Sequence, residues 1–186
     1  DTGRGRRLSS RAQYNLTLGA LLHDIGKLGV PESILLKPVG ERSAEDQEIY
    51  RLHTALGDRI LAPIESLAGA IPFVRQHHER RDGSGYPNGS VAGELAPEVE
   101  VLAAANAYDM ARAIFPTSAA ERAETLREEA RAGRFEAALV EEIIRSGERL
   151  EAAGALPTIE DLLPAPEIDP GGLILVADDN STNRQL

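Results

Sequence analysis

Cysteine is absent from the chain, which removes a disulfide framework, a thiolate metal site and a cysteine nucleophile at one stroke. Tryptophan is also missing and aromatic residues reach only 4%. With so few large rings and an abundance of Ala, Leu and Glu, helical packing is favoured over a β-sandwich or barrel. No apolar run approaches the length of a membrane span, and the polar stretch Asp1 to Arg11 lacks the apolar core of a signal peptide. A cytoplasmic setting is expected. Positive charge is scarce as well: 20 Lys and Arg against 30 Asp and Glu leave a net charge of −10, which repels polyanions and argues against a nucleic acid polymer as partner. A small, doubly charged nucleotide is different, because bound metal cations and a few basic side chains neutralise it locally.

What is present is 186 residues, 42% of them hydrophobic, enough for one main domain. Tyr14, Leu16, Leu18, Leu21, Leu22 and Ile25 recur at helical intervals and predict a helix from Ser10 that ends near Gly26 to Gly29. Ser43, followed by Glu45 and Asp46, reads as an N-cap and acidic first turn of a helix running to Leu52 or His53. Further helices are expected over 55–62, 64–78, 97–113, 118–131 and 135–151. Between them, Asp82 to Ser90 holds three glycines and a proline and must be a loop. The domain is expected to close near residue 155. A Pro- and Gly-rich linker then covers 156–172. Leu173 to Asn180 reads as a buried parallel strand ending in two acids, Asp178 and Asp179.

All four histidines, His23, His53, His77 and His78, lie in the first 78 residues. A lone histidine is more often a satisfied core or surface residue than a ligand. Four together, with Asp24 and Lys27 close to His23 on one helical face, form a set that can ligate metal and hold a phosphate. Imidazoles mixed with carboxylates suit iron or manganese, and two such ions can clamp a phosphodiester and activate water. Arg80 and Arg81 read as solvated charges without a catalytic role.

Leu22-His-Asp-Ile-Gly-Lys27, then His53, then His77-His-Glu-Arg-Arg-Asp-Gly-Ser-Gly-Tyr-Pro87 resemble the successive motifs of the HD-GYP family, in order and spacing. Lys37-Pro38, Gly57 and Gly133 to Glu136 extend the likeness over roughly residues 14 to 150. The resemblance implies an all-α, HD-type helical bundle with two or three divalent metal ions, iron or manganese, that opens cyclic di-GMP to linear pGpG and onward to GMP. It implies His23, Asp24, His53, His77 and His78 as metal ligands, with Asp24 bridging two ions and Lys27 contacting the scissile phosphate. Asp82, Gly83, Gly85, Tyr86 and Pro87 would shape the substrate pocket.

The resemblance also sets expectations that this chain does not meet. Where the family pattern has a metal-binding Asp, this chain has Asn106, a neutral carbonyl donor that holds a hard cation less tightly. Asp109, three residues on, is the candidate for compensation. Glu100 and Ile114-Phe-Pro-Thr117 replace basic residues that the family uses near its substrate. Ligands expected about thirty residues before His23 have no counterpart, so Asp1 to Arg11 reads as a fragment edge. Ile174 to Arg184 resembles the opening of a response-regulator receiver, with Asp178 and Asp179 as its magnesium-binding acid pair. A truncated α/β receiver after the linker implies two-component signalling, with a GGDEF diguanylate cyclase or a histidine kinase as partner and a homodimer as assembly. The alternative is a degenerate domain that binds nucleotide or partners without turnover. A third reading is a metal-dependent phosphohydrolase acting on another nucleotide.

Overall fold

The computed structural model describes residues 8–153, so the linker of 156–172 and the expected strand and acid pair Asp178 and Asp179 lie outside the described residues. Among the described residues eight α-helices follow in chain order: α1 Ser10–Leu22, α2 Glu32–Leu35, α3 Ala44–Arg51, α4 His53–Leu61, α5 Ile71–Gln76, α6 Pro97–Ile114, α7 Ala119–Arg131 and α8 Ala137–Ala153. Turns of 3-10 helix at Ile25–Gly29, Val39–Glu41 and Glu65–Ala70 join them. Among the described residues β pairing is limited to one isolated bridge, Asp82 to Val91. The all-α expectation is met. No described helix is long and apolar enough to cross a membrane.

Local chemistry explains the helix starts. Ser9 Oγ accepts from Ala12 N at 3.2 Å to cap α1. Ser43 and Asp46 form a reciprocal capping box at α3, each side chain accepting the other's backbone N–H, and each such cap contributes on the order of 1 kcal/mol. Pro97 occupies the first turn of α6, where its missing N–H would be unpaired in any case. Ser118 caps α7 through Glu121 N.

The first helix stops earlier than its apolar pattern predicts, at Leu22, and the chain tightens into the 3-10 turn Ile25–Gly29. The cause is tertiary. Gly26 lies against the backbone of α4, and a Cβ there would overlap His53 O and Gly57 N. Only a glycine lets the two segments approach that closely. The predicted helix over 64–78 likewise begins as 3-10 turn and becomes α-helix only at Ile71.

Two apolar clusters hold the bundle. Ala103, Ala104 and Tyr108 of α6 pack with Ala123 and Leu126 of α7, Phe135, and Val140 and Ile144 of α8. Phe73, Leu95, Val99 and Leu102 form the second cluster, with Leu16 of α1 against it. Fully buried Leu126 and Ile144 each contribute about 1.5–3 kcal/mol by leaving water. The second cluster ties α1 to α5 and α6, while α4 packs against α5 and the Ile25–Gly29 turn, and together these contacts gather the helix ends that carry the histidines.

Candidate metal centre

His23 and Asp24 follow the last residue of α1, His53 opens α4, and His77 and His78 follow α5. The bundle brings these three helix ends to one point. His53 and His77 are fully buried and His78 nearly so. Nitrogen atoms of His53, His77 and His78 all lie within 4.8 Å of one another.

The tautomers follow from the backbone. Nδ1 of His23 is 2.8 Å from Ala20 O, Nδ1 of His53 is 2.7 Å from Tyr50 O, and Nδ1 of His77 is 2.8 Å from Val74 O. A carbonyl only accepts, so each Nδ1 carries the proton and each Nε2 of a neutral ring presents a lone pair. Nε2 of His53 then faces Nε2 of His77 at 3.2 Å. Two lone pairs cannot bond to each other, and a proton between them is disfavoured: burial and the neighbouring imidazoles push His77 down to about 3, and burial lowers His53 as well. Burial pushes His78 down too. Neutral, inward-facing nitrogens with no protein donor between them fit a divalent cation.

Asp24 completes the group. Its Oδ1 lies 3.7 Å from His53 Nε2 and 3.9 Å from His77 Nε2, while Oδ2 lies 3.3 Å from His23 Nε2 and 2.5 Å from Lys27 Nζ. The two oxygens thus serve two sets of partners. Burial would raise this carboxyl, but hydrogen bonds from Lys27 and from the protonated form of His23 outweigh it and hold Asp24 well below the usual carboxylate range. The same pairings raise His23 and Lys27 against the effect of burial. A hollow of about 470 Å³ opens beside Asp24 and Lys27.

The Gly-Tyr-Pro loop folds back onto His78. Tyr86 stacks on the His78 ring with centroids 4.7 Å apart and planes 25° apart, and Tyr86 N donates to His78 O at 3.3 Å. Gly85 presses against the backbone of Glu79 and Arg80, where a Cβ would collide. Gly83 sits at φ +79, a left-handed turn position, and Pro87 follows Tyr86 through a cis bond. The Asp82 carboxylate accepts from Ser84 N at 2.9 Å and Ser84 Oγ at 2.6 Å, shaping the turn.

Asn106 lies half-buried on α6, where Nδ2 contacts Met110 Sδ at 3.8 Å, and no hydrogen bond joins it to the histidines. Asp109 points to solvent and pairs with Arg112 at 3.5 Å, so it does not compensate for Asn106. Glu100 pairs with Arg81 at 3.1 Å. The sequence reading missed Glu79. It is fully buried, and its two oxygens accept from Asn88 N at 2.7 Å and Ser90 N at 2.9 Å, tying the loop to the residue beside His78. An acid directly joined to His77-His78 was the available signal. Tyr50 was missed as well: its ring lies 5.7 Å from Lys27 Nζ and 4.1 Å from the Arg42 guanidinium.

A model of the HD domain family matches residues 1–139. The chain belongs to the HD domain family. A Thermotoga maritima relative named cyclic di-GMP phosphodiesterase is 44% identical over 98 residues, covering 50% of this chain and 26% of its own length. A Vibrio cholerae relative named 3'3'-cGAMP-specific phosphodiesterase 3 is 35% identical over 105 residues, covering 56% of this chain and 23% of its own length. This HD domain chain therefore spans about a quarter of the length of those curated relatives. Among solved structures, an HDG"Y"P protein from Bdellovibrio bacteriovorus matches with a TM-score of 0.60 and 26% identity, covering 72% of this chain and 43% of that one.

Proposed function

We propose that this HD domain is a metal-dependent phosphodiesterase that opens cyclic di-GMP to linear pGpG, with GMP as the product of a second cut. The observation that carries this is the pair of neutral Nε2 atoms of His53 and His77 facing each other at 3.2 Å beside the Asp24 carboxylate. The names of the relatives supply the substrate class. His23, Asp24, His53, His77 and His78 would hold two or three divalent ions, iron or manganese by donor set, with Asn106 as a neutral oxygen donor on α6. When bound, such ions supply Lewis acidity that draws charge from a phosphodiester and acidifies water.

The protein's own residues do the rest. Asp24 keeps its charge at neutral pH and presents one oxygen to each half of the site. Lys27 holds its ammonium 2.5 Å from that carboxylate, where it can neutralise a phosphate oxygen that arrives beside Asp24. Tyr86, stacked on His78, walls the site. Addition of water across the P–O3′ bond leaves a 5′-phosphate on one nucleoside and a 3′-hydroxyl on the other. Residues 1–155 form the catalytic domain in this reading. Residues 156–172 link it to a receiver that opens at 173–186, with Asp178 and Asp179 binding magnesium and a diguanylate cyclase or histidine kinase as signalling partner.

Asn106 favours a second reading, a regulatory domain that binds nucleotide without turnover. Metal content and cyclic di-GMP hydrolysis of the wild type and of Asn106→Asp separate the two. Turnover by the wild type, abolished by His23→Ala, supports the enzyme. Turnover by Asn106→Asp alone supports the regulatory domain, and turnover by neither contradicts the phosphodiesterase reading.

A further inference from the structure

Beyond His78, away from Asp24, a cleft of about 280 Å³ opens whose lining includes Arg51, Arg80, Arg134 and Glu129, with Tyr86 and His78 as its inner wall. Three guanidiniums gather in this one cleft of a chain whose net charge is −10, paired with the carboxylates of Glu129, Glu48 and Asp82. Each guanidinium is held in place. The Arg51 guanidinium sits 5.1 Å from the Tyr86 centroid and 3.2 Å from Glu48. Arg80 donates to Glu79 O at 2.9 Å and lies 4.6 Å from the Phe135 ring. Arg134 donates to Glu129 at 2.6 Å. A planar guanidinium has five N–H donors, so these contacts leave others for a ligand, and its fork matches two phosphate oxygens.

We propose that Arg51, Arg80 and Arg134 form the subsite for the second, uncleaved phosphate of a cyclic dinucleotide. This rests on the phosphodiesterase reading for the position of the first phosphate, beside Asp24 and Lys27. A cyclic dinucleotide carries two phosphodiester charges, and an acidic protein must meet the second with local cations. Ile114 to Thr117 contributes no basic side chain to that task. The arginine cleft shares His78 with the metal group and Tyr86 with the loop, so it adjoins the histidines. The arginines are positioned for binding and selectivity, and the bond cleaved lies at the other end of the site.

The test compares ligands with two phosphates and one. Equilibrium dialysis on metal-stripped protein measures affinity for cyclic di-GMP and for the linear dinucleoside monophosphate GpG, without turnover. The wild type is expected to prefer cyclic di-GMP by about tenfold or more, the scale of one charge-assisted guanidinium–phosphate contact. The double variant Arg51→Ala, Arg134→Ala should shrink that preference below about threefold. Arg51→Gln, at a half-exposed position that tolerates change, should reduce it in the same direction, and Arg145→Ala on exposed α8 surface should leave it intact. A wild type that binds neither ligand or shows no preference overturns the subsite, as does a preference that survives both cleft variants. A parallel hydrolysis assay on metal-loaded protein keeps the two claims apart: preference without turnover supports the subsite and contradicts the phosphodiesterase reading.

Discussion

Glu79→Gln isolates the staple that seats the Gly-Tyr-Pro loop on His78. The wild-type carboxylate is fully buried and accepts two backbone N–H groups, from Asn88 at 2.7 Å and Ser90 at 2.9 Å. Glutamine preserves the shape but offers one carbonyl and one NH2, so one of those two amides faces a donor. A buried amide left without an acceptor costs about 1–3 kcal/mol, and the remaining bond loses its charge assistance, a further loss of about 1 kcal/mol. The sum is about 3 kcal/mol, within the stability of an ordinary domain, so the protein stays folded. At roughly 2–4 °C per kcal/mol for a domain of this size, the melting temperature followed by circular dichroism should fall by about 6–12 °C. Metal content should fall with it, because Tyr86 and the backbone of His78 are held by the same loop. A melting temperature within about 2 °C of wild type, the scale expected of a surface substitution, would refute this account of Glu79.

Other outcomes follow from the same geometry. Gly26→Ala drives a Cβ into His53 O and Gly57 N, both backbone atoms, so urea denaturation should show a loss of about 2–3 kcal/mol, whereas a neutral effect would mean the close approach of Ile25–Gly29 to α4 is misjudged. Metal-free protein should lose stability as pH falls from 7 to 5. His77 drops from 6.5 unfolded to about 3 folded, so its contribution is fully present above 6.5 and is lost as pH falls from there toward 3, at about 1.4 kcal/mol per unit. His53 and His78 act in the same sense, and His23, whose folded value is raised, opposes them. Denaturation midpoints that stay level or rise on acidification would contradict neutral buried imidazoles. On the functional reading, Lys27→Ala should lower kcat for cyclic di-GMP by about a hundredfold or more, since it removes a charge aimed at the phosphate. An unchanged kcat would remove Lys27 from the chemistry.

The histidines and the loop could be read from sequence because their residue types are restricted by chemistry: imidazoles beside carboxylates have few uses, and three glycines with a proline between His78 and Val91 cannot continue a helix. Helix starts were legible for the same local reason, as Ser43 and Asp46 show. The end of α1 was not. Its apolar spacing runs on to Ile25, and only the approach of Gly26 to His53 O, made by a segment far along the chain, stops the helix at Leu22. Arg80 read as a solvated charge, yet it lies over Phe135 and caps Glu79 O. Asp109 stood three residues from Asn106, but the helix turns it toward Arg112 and solvent. Such contacts depend on which faces meet, and residue types alone do not encode that.

The measurement that bears most directly on this account is a calorimetric titration of manganese into metal-free protein at neutral pH, for the wild type and for His53→Ala and His77→Ala. Tight binding of at least one ion by the wild type, lost in both variants, is the predicted result. A wild type that binds no ion, or variants that bind as the wild type does, would contradict a metal centre built on the facing Nε2 atoms.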